Sequence, residues 1–301
     1  MRVIIDCDPG LGKKFTPADV DDGLALFFML NQPEIYNIEG ITITYGNTRA
    51  KMGFNLLENY LKLTNTLYIP HYIGATSKEE LGTLTNASKF LISHVTEHPN
   101  EIILFTLGPL TNIATAILNY PEFLDDLKQI IFMGGVLNPI SLFNFGGNER
   151  FETSEFNFNK DPKATKLFIE SDTLTPRVGI GLDVCSQVIF NRNHYNVVKS
   201  HNTVVSQYIS ENILNWLNLW ETNFSKGFYP FDTLVPIYLI RKDLFKINKY
   251  HLTIDVDKIP GKINILKRVG YETKLVTYCT DFVSEKSKKD FMNILISGLT
   301  K

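Results

Sequence analysis

The amino-acid sequence predicts an α/β fold, with one domain over residues 1–301 built on a doubly wound, mostly parallel sheet. Short runs rich in isoleucine, valine and leucine recur at residues 3–5, 38–45, 102–107, 130–133 and 178–182. Continuous apolar runs of this length are typical of strands that are covered on both faces. Because helix-like segments lie between them through about residue 185, the alternation indicates crossover connections between parallel strands.

The candidate helices lie near residues 20–30, 49–63, 78–98, 110–119 and 161–171. Asp161 followed by Pro162 predicts the start of the last one, because Asp is a favoured N-cap and Pro fits the first turn. Beyond these, residues 191–219 have a helical pattern, residues 250–279 are typical of short strands with turns at 260–261 and 270, and residues 284–299 predict a closing helix. No repeat, low-complexity tract or long linker divides the sequence.

Composition and charge exclude several classes of partner. Lys and Arg total 30 against 32 Asp and Glu, so the net charge of −2 offers no field to gather nucleic acid or an anionic membrane. The sequence has no run of 18 apolar residues, and its first residues lack the apolar core of a signal peptide. Three widely spaced cysteines, Cys7, Cys185 and Cys279, argue against a disulfide framework. We therefore expect a cytoplasmic protein without nucleic-acid or membrane partners.

Four carboxylates gather at the end of the first predicted strand and the start of the next helix. Asp6 and Asp8 precede Pro9-Gly10, and Asp21 and Asp22 open the helical segment. Such groups repel one another strongly unless a cation neutralises them, and an all-oxygen cluster suits a hard ion such as Ca²⁺ or Mg²⁺. A single Asp at a helix start is more often a cap, but the pair directly after a buried strand end favours a metal or phosphate role.

These residues match a known pattern. DCDPG followed by DD resembles the N-terminal signature of the inosine-uridine-type nucleoside hydrolases, and further landmarks follow in the same order over almost the whole chain. They are Gly46-Asn47, LGPLTNIA at 107–114, MGG at 133–135, EFNFNKDP at 155–162, GLDV at 181–184 and Asp232 within FDTLVP.

The resemblance implies an enzyme that cleaves the bond between base and ribose with a Ca²⁺-bound water. The implied Ca²⁺ ligands are Asp8, Asp22, Asp232 and the backbone carbonyl oxygen of Leu107, and Asp8 is the implied general base. From the local sequence alone, Leu107 before Gly108-Pro109 could equally mark an ordinary turn. The implied partner is a small-molecule nucleoside, and the implied assembly is a homodimer or homotetramer.

The resemblance also implies a set of substrate-binding residues. Asp21 and Asn157 are expected to bind the ribose hydroxyls with Asn47 beside them, Glu155 and Asn148 to reach the 5′-hydroxyl, and Met133 to lie under the sugar. Each has a local alternative: Asn47 as a helix cap, Asn157 in a turn, Glu155 solvated and Met133 in the core.

Two departures from the family pattern matter for function. Family members commonly run DPGxDD without interruption, whereas residues 11–20 form an insertion here, which we expect to be a surface loop at the mouth of the site. Phe231 stands where many members have a His before the last metal-binding Asp, and Phe cannot donate a proton. An aromatic residue there resembles purine-preferring members, so we expect a preference for purine nucleosides, with stacking by Phe231 and Tyr229.

Three alternatives remain open on the sequence. The enzyme could act on a modified nucleoside or another ribosyl compound, since the ribose and metal residues are intact while the base-side residues have changed. It could be a non-catalytic nucleoside or ribose binder, against which the full carboxylate set argues. A phosphatase with an aspartate nucleophile also begins with D-x-D at a strand end, but Pro9-Gly10 does not fit its motif.

Overall fold

A computed structural model describes residues 1–14, 16–145, 148–266 and 275–301, with the side chains of residues 143–145 and 148–151 excepted. The strands are β1 (Arg2–Cys7), β2 (Asn37–Ile43), β3 (His71–Ile73), β4 (Ile103–Thr106), β5 (Gln129–Met133), β6 (Ile140–Phe145), β7 (Asn148–Glu152), β8 (Arg177–Ile180), β9 (Phe190–Asn191), β10 (Gly227–Phe228), β11 (Phe245–Ile254), β12 (Ile263–Ile265) and β13 (Leu275–Phe282). The helices are α1 (Asp21–Leu30), α2 (Ala50–Leu63), α3 (Asn86–Glu97), α4 (Thr111–Asn119), α5 (Phe156–Lys160), α6 (Pro162–Glu170), α7 (Leu182–Cys185), α8 (Arg192–Ser200), α9 (Val204–Asn223), α10 (Leu234–Ile240) and α11 (Glu285–Leu299).

Nine strands form one central sheet in the order β12-β11-β13-β8-β5-β4-β1-β2-β3. All neighbours from β13 to β3 pair in parallel, and β11, next to one edge, pairs antiparallel with both of its neighbours, β13 and β12. The predicted α/β class with a mostly parallel sheet is therefore confirmed. The domain boundaries of 1–301 stay a prediction.

The strand order reverses at β1. From β1 the chain winds outward through β2 and β3 on one side, and then through β4, β5 and β8 on the other. In doubly wound sheets the loops at such a reversal separate, which leaves a crevice beyond the carboxyl ends of the strands. Asp8 follows the last residue of β1 and so lies at this crevice.

Helices cover both faces of the sheet, as the apolar strands require. In β1, Val3 and Ile5 belong to a core cluster with α1, α2 and α9 to α11, whereas Ile4 belongs to a second cluster with α3, α4 and α6. Successive side chains of a strand point to opposite faces, so one strand contributes to both layers. No helix among the described residues is long and apolar enough to cross a membrane.

Two predicted helices are interrupted. The segment 78–98 is a short 3₁₀ turn, Lys78–Glu80, followed by α3, because Gly82 adopts φ +87° and the Thr85 side chain accepts the Ser88 N–H as a cap. The segment 191–219 is α8 and α9, and Thr203 caps α9 through the Ser206 N–H. In both places a side chain that bonds locally ends one helix and begins another. The predicted turn at residue 270 lies outside the described residues.

Candidate active site

A cavity of about 760 Å³ opens at the carboxyl end of the sheet, beside the strand reversal at β1. It brings together the predicted site residues whose side chains are described, except Tyr229. The residues that line it include Asp8, Asp21, Asp22, Asn47, Leu107, Met133, Glu155, Asn157, Phe231 and Asp232. Asn148 belongs to β7, and its side chain lies outside the described part of the chain.

Three carboxylates of the cavity could hold one ion. Asp21 and Asp22 open α1, and Asp232 lies in the 3₁₀ turn Phe231–Thr233. One oxygen from each of these three side chains lies within 4.8 Å of the others. Two of the predicted Ca²⁺ ligands, Asp22 and Asp232, therefore meet, and Asp21, which the sequence assigns to the sugar, is the third member of the group.

Because these three carboxylates are buried, their charged forms are unfavourable unless a positive charge neutralises them. Desolvation, reinforced by the neighbouring carboxylates, raises the pKa of Asp22 and Asp232 well above the ordinary range, and burial also raises that of Asp21. Among the described residues that line the cavity, Lys160 is the only basic one, and its ammonium lies over the Phe156 ring. Because uncompensated buried carboxylates are costly, this all-oxygen donor set fits a divalent cation such as Ca²⁺.

Asp8 lies beside this group in a slot between two glycines. Its backbone N–H donates to Asp22 Oδ1 at 3.0 Å, and its Oδ2 accepts the backbone N–H of Asn47. A Cβ added to Gly46 would lie 2.1 Å from Asp8 Oδ2, and one added to Gly108 would lie 2.6 Å from Asp8 Oδ1. Burial first, and then the charges of neighbouring carboxylates, raise the pKa of Asp8 well above the ordinary range. The roles of Asp8 as ligand and base stay predictions.

Glu155 and Asn157 are fixed by the start of α5 and by two strand ends. The Glu155 carboxylate caps α5 by accepting the N–H groups of Asn157 at 2.7 Å and Phe158 at 3.1 Å, and it also accepts that of Gly135. Asn157 Nδ2 donates to the carbonyl oxygens of Leu107 at 2.7 Å and Met133 at 3.3 Å. Burial raises the pKa of Glu155 to about 7 despite its three donors. Glu155 is thus buried and bonded rather than solvated.

Asp6 forms a buried support under the site. Its Oδ1 accepts hydrogen bonds from Thr42 Oγ1 and from Asn112 Nδ2 at 2.8 Å, which ties β1 to β2 and to α4. Its Oδ2 has no hydrogen-bond partner among the described residues. Burial raises the pKa of Asp6 to about 7. Asn112 belongs to the LGPLTNIA landmark, but neither its contact with Asp6 nor that of Thr42 could be predicted from sequence, because both contacts join distant segments.

Aromatic side chains form another part of the cavity wall. Phe231, Trp216, Trp220 and Phe224 line it; the last three follow one another at four-residue spacing, with both tryptophans in α9 and Phe224 directly after its end. Tyr229 is not among the lining residues; it packs behind them, with its ring centroid 5.7 Å from that of Phe231 and 5.3 Å from that of Trp220. Aromatic residues at helical spacing are more often core than ligand contacts, and Trp220 is 2% exposed within a core cluster, but it and Trp216 also line the cavity.

The insertion 11–20 also contributes to the cavity. Pro17, Ala18 and Asp19 line it, so the segment is more than a loop at the mouth. Asn47 bonds this segment through its side chain, and α2 begins after Arg49 without a side-chain cap. The alternative of Asn47 as a helix cap is therefore wrong, and its contact with ribose stays a prediction.

A second group of possible metal ligands lies at the amino end of the strands. One ligand atom each from Glu39, His94 and His98 lies within 4.8 Å of the others. Both oxygens of Glu39 are already engaged: Arg2 donates to each of them, and His94 Nε2 lies 2.7 Å from Oε2. The Arg2 guanidinium neutralises this carboxylate, so we interpret the group as an ion-pair network.

Comparison with known proteins gives a consistent result. A family model described as "Inosine-uridine preferring nucleoside hydrolase" matches residues 3–288. A probable uridine nucleosidase 2 of Arabidopsis thaliana is 26% identical over 235 residues, covering 69% of this chain and 67% of the relative. The pyrimidine-specific ribonucleoside hydrolase RihB of Escherichia coli is 26% identical over 287 residues, covering 86% of this chain and 84% of the relative.

Solved structures share the fold. A purine-preferring ribonucleoside hydrolase from Gardnerella vaginalis superposes with a TM-score of 0.81 at 21% identity, covering 100% of this chain and 99% of the other. A plant nucleoside hydrolase, PpNRh1, gives the same TM-score and identity, covering 99% of this chain and 98% of the other.

Proposed function

Because the chain belongs to the inosine-uridine preferring nucleoside hydrolase family, we propose that this nucleosidase hydrolyses the N-glycosidic bond of ribonucleosides to free base and ribose, with Ca²⁺ as cofactor. One observation carries the proposal: buried carboxylates from two distant segments, Asp22 in α1 and Asp232, meet with Asp8 beside them in one cavity. A binder of ribose alone does not require such a costly set of charges.

The ion would be held by Asp8, Asp22, Asp232 and the carbonyl oxygen of Leu107. When bound there, Ca²⁺ supplies a Lewis acid that orients the vicinal hydroxyls of ribose and makes water more acidic. Leu107 is suited to this role because its carbonyl lies beyond the last paired residue of β4 and points to Asn157 in the cavity.

The protein groups supply the remaining chemistry. Asp8 accepts the proton of the attacking water, since its carboxylate lies beside the ion site and its glycine neighbours leave its oxygens room. Asp21, Asn157 and Glu155 bind the hydroxyls of the sugar. As ribose develops positive charge at the anomeric carbon, the surrounding carboxylates stabilise it through their negative charge.

We also propose that the enzyme prefers purine nucleosides to pyrimidine nucleosides. Phe231 lines the cavity with Trp216 and Trp220, and these flat faces suit the larger ring system of a purine. Phe231 cannot protonate a departing base, and no histidine is among the described residues that line the cavity. Stacking that raises the proton affinity of the base would assist its departure instead. The relatives carry names for both base classes, so the proposal depends on these aromatic residues.

The test is release of free base from inosine, guanosine, uridine and cytidine, with modified nucleosides assayed beside them, before and after treatment with a chelator and after Ca²⁺ is restored. We expect faster turnover of inosine than of uridine, loss of activity with chelator and recovery with Ca²⁺. Faster turnover of uridine contradicts the purine preference. Release of base from a modified nucleoside alone supports the alternative substrate class, and binding without release supports a non-catalytic protein.

Assembly and location stay predictions of the same proposal. We expect a homodimer or homotetramer, which light scattering on the purified protein measures directly. A cytoplasmic location is tested by fractionation of the source cells.

A further inference from the structure

The insertion 11–20 is held firmly where it leaves the strand end. The Leu11 side chain is fully buried and packs so closely on α1 that a Cβ added to Gly23 would lie 2.5 Å from Leu11 Cβ. The Leu11 carbonyl oxygen accepts hydrogen bonds from the hydroxyls of Tyr60 in α2 and Tyr208 in α9. Two helices and a buried side chain therefore fix the first residues of the insertion, although Lys14 near its tip is exposed.

The returning end of the insertion is clamped by Asn47. Asn47 Oδ1 accepts the backbone N–H of Asp19 at 3.0 Å, and Asn47 Nδ2 donates to the backbone carbonyl of Asp19 at 2.9 Å. Gly10 lies against this contact, and a side chain there would disrupt it. A Cβ on Gly10 would lie 2.4 Å from the Asp19 carbonyl oxygen and 2.6 Å from Asn47 Nδ2. Both polar atoms of the Asn47 side chain are thus used by the backbone of Asp19.

Asp19 adds a carboxylate to the cavity wall. Its Oδ1 accepts the N–H of Val20 at 2.7 Å and that of Asp21 at 3.3 Å, which fixes the direction of the side chain. Asp19 and Asp21, two residues apart in the chain, line the same cavity. The uninterrupted family pattern DPGxDD has no room for a residue in this place, so this carboxylate belongs to the insertion of this chain.

We propose that Asp19 accepts a hydrogen bond from the sugar edge that Asp21 binds, and that Asn47 is a positioning residue which holds Asp19 there rather than a ligand of the sugar. The inference rests on the proposed function, because it assumes that a nucleoside occupies the cavity. It assigns to the insertion a part in recognising the vicinal hydroxyls of the substrate.

The test measures binding during turnover in the presence of Ca²⁺, as the KM for inosine and the inhibition constants of 2′-deoxyinosine and 3′-deoxyinosine, for the wild-type protein and for Asp19→Ala and Asp19→Asn. Loss of a hydrogen bond to a charged group weakens binding by about tenfold or more. We expect Asp19→Ala to weaken inosine binding by about this factor, and to leave unchanged the binding of the one analogue that lacks the contacted hydroxyl. Asp19→Asn keeps an Oδ1 that can accept the Val20 N–H. This variant should therefore bind inosine more tightly than Asp19→Ala does.

The clamp is tested by Asn47→Ala and by the double variant. If Asn47 acts through Asp19, Asn47→Ala weakens inosine binding, and adding it to Asp19→Ala has no further effect, since residues that act as one unit are not additive. Lys14→Ala, at the exposed tip of the same insertion, is the matched control and should bind all three ligands as the wild type does.

Two results overturn the inference. Equal weakening of inosine and both deoxy analogues by Asp19→Ala means that Asp19 serves only the start of α1, and additive effects of the two substitutions mean that Asn47 contacts the sugar itself. Release of hypoxanthine from inosine by the wild type is measured in parallel. A wild type that releases no base from any nucleoside overturns the proposed function, whereas an active wild type with unchanged binding in Asp19→Ala overturns this inference alone.

Discussion

The side-chain amide of Asn157 donates a hydrogen bond of 2.7 Å to the backbone carbonyl of Leu107, and so links the start of α5 to the end of β4. Asn157, which we expect to bind the sugar, therefore contacts the Leu107 carbonyl, which we expect to bind the ion. Asn157 is buried, and its position depends on Glu155, which accepts its N–H. The sugar and metal parts of the site are therefore one connected structure.

We expect Asn157→Ala to lower kcat/KM for inosine by roughly ten- to a hundredfold, because about 1.5–3 kcal/mol is lost when a hydrogen bond in a charged site is removed. The far-ultraviolet circular dichroism should be unchanged. Asn223→Ala is the matched control, since Asn223 is exposed at the end of α9 and its side chain donates to the Leu219 carbonyl, outside the cavity. Equal kcat/KM in both variants would contradict this role of Asn157.

Gly108→Ala is expected to displace the Asp8 carboxylate, because the added methyl group would lie 2.6 Å from Asp8 Oδ1 and 2.9 Å from Thr44 Cγ2. Displacing a catalytic base by a few tenths of an ångström costs roughly tenfold or more in kcat. Gly53→Ala in α2 is the control, since its nearest contacts begin at 3.1 Å and a helix tolerates Ala well. A kcat for Gly108→Ala equal to that of Gly53→Ala excludes the steric argument.

Asp232→Asn is expected to weaken Ca²⁺ binding by at least about tenfold, since one of three anionic ligands loses its charge. Calorimetric titration with Ca²⁺ measures this without turnover. Burial raises the pKa of both Asp22 and Asp232 in the ion-free protein, so binding must displace protons and the affinity of the wild type should rise with pH. Asp257→Asn, at an exposed turn, should bind like the wild type, and undiminished affinity in Asp232→Asn refutes the assignment.

Glu155 makes stability depend on pH. Burial raises its pKa from an ordinary 4.5 to about 7, so the folded protein favours the protonated form. A raised pKa contributes stability that is complete below pH 4.5 and is lost as the pH rises through about 7, amounting to roughly 3 kcal/mol. In chelator, the difference in free energy of unfolding between wild type and Glu155→Gln should therefore fall from pH 5 to pH 8. A difference that is constant or rises with pH contradicts the raised pKa.

Phe231→Ala is expected to lower kcat/KM for inosine by about tenfold, because a stacking contact of about 1 kcal/mol is lost and the base departs less readily. The rate for uridine should fall less, since its ring offers a smaller face. Tyr68→Ala, at an 80% exposed position, is the control. An equal loss for both nucleosides would assign Phe231 to packing alone.

The positions of several site residues could be predicted from local sequence, because these residues follow strand ends or begin helices. Asp8 after β1, Leu107 after β4, and Asp21 and Asp22 at the start of α1 lie where periodicity and turn chemistry predict. The parallel sheet also followed from sequence, since its strands are apolar on both faces. The helix boundaries at Gly82 and Thr203 did not, because single side-chain caps compete with a continuous helical pattern.

The sequence by itself determined the fold class and the carboxylate cluster at the first strand end, because burial patterns and strand-end carboxylates are local properties, and the family resemblance supplied the other site residues. Only the tertiary structure decided which carboxylates meet, grouping Asp21 with Asp22 and Asp232 and setting Asp8 beside them. It also decided that Asn47 clamps Asp19, and that Trp216 and Trp220 face the cavity. These contacts join segments far apart in the chain, and their geometry depends on how the helices pack on the sheet rather than on the preference of any single residue.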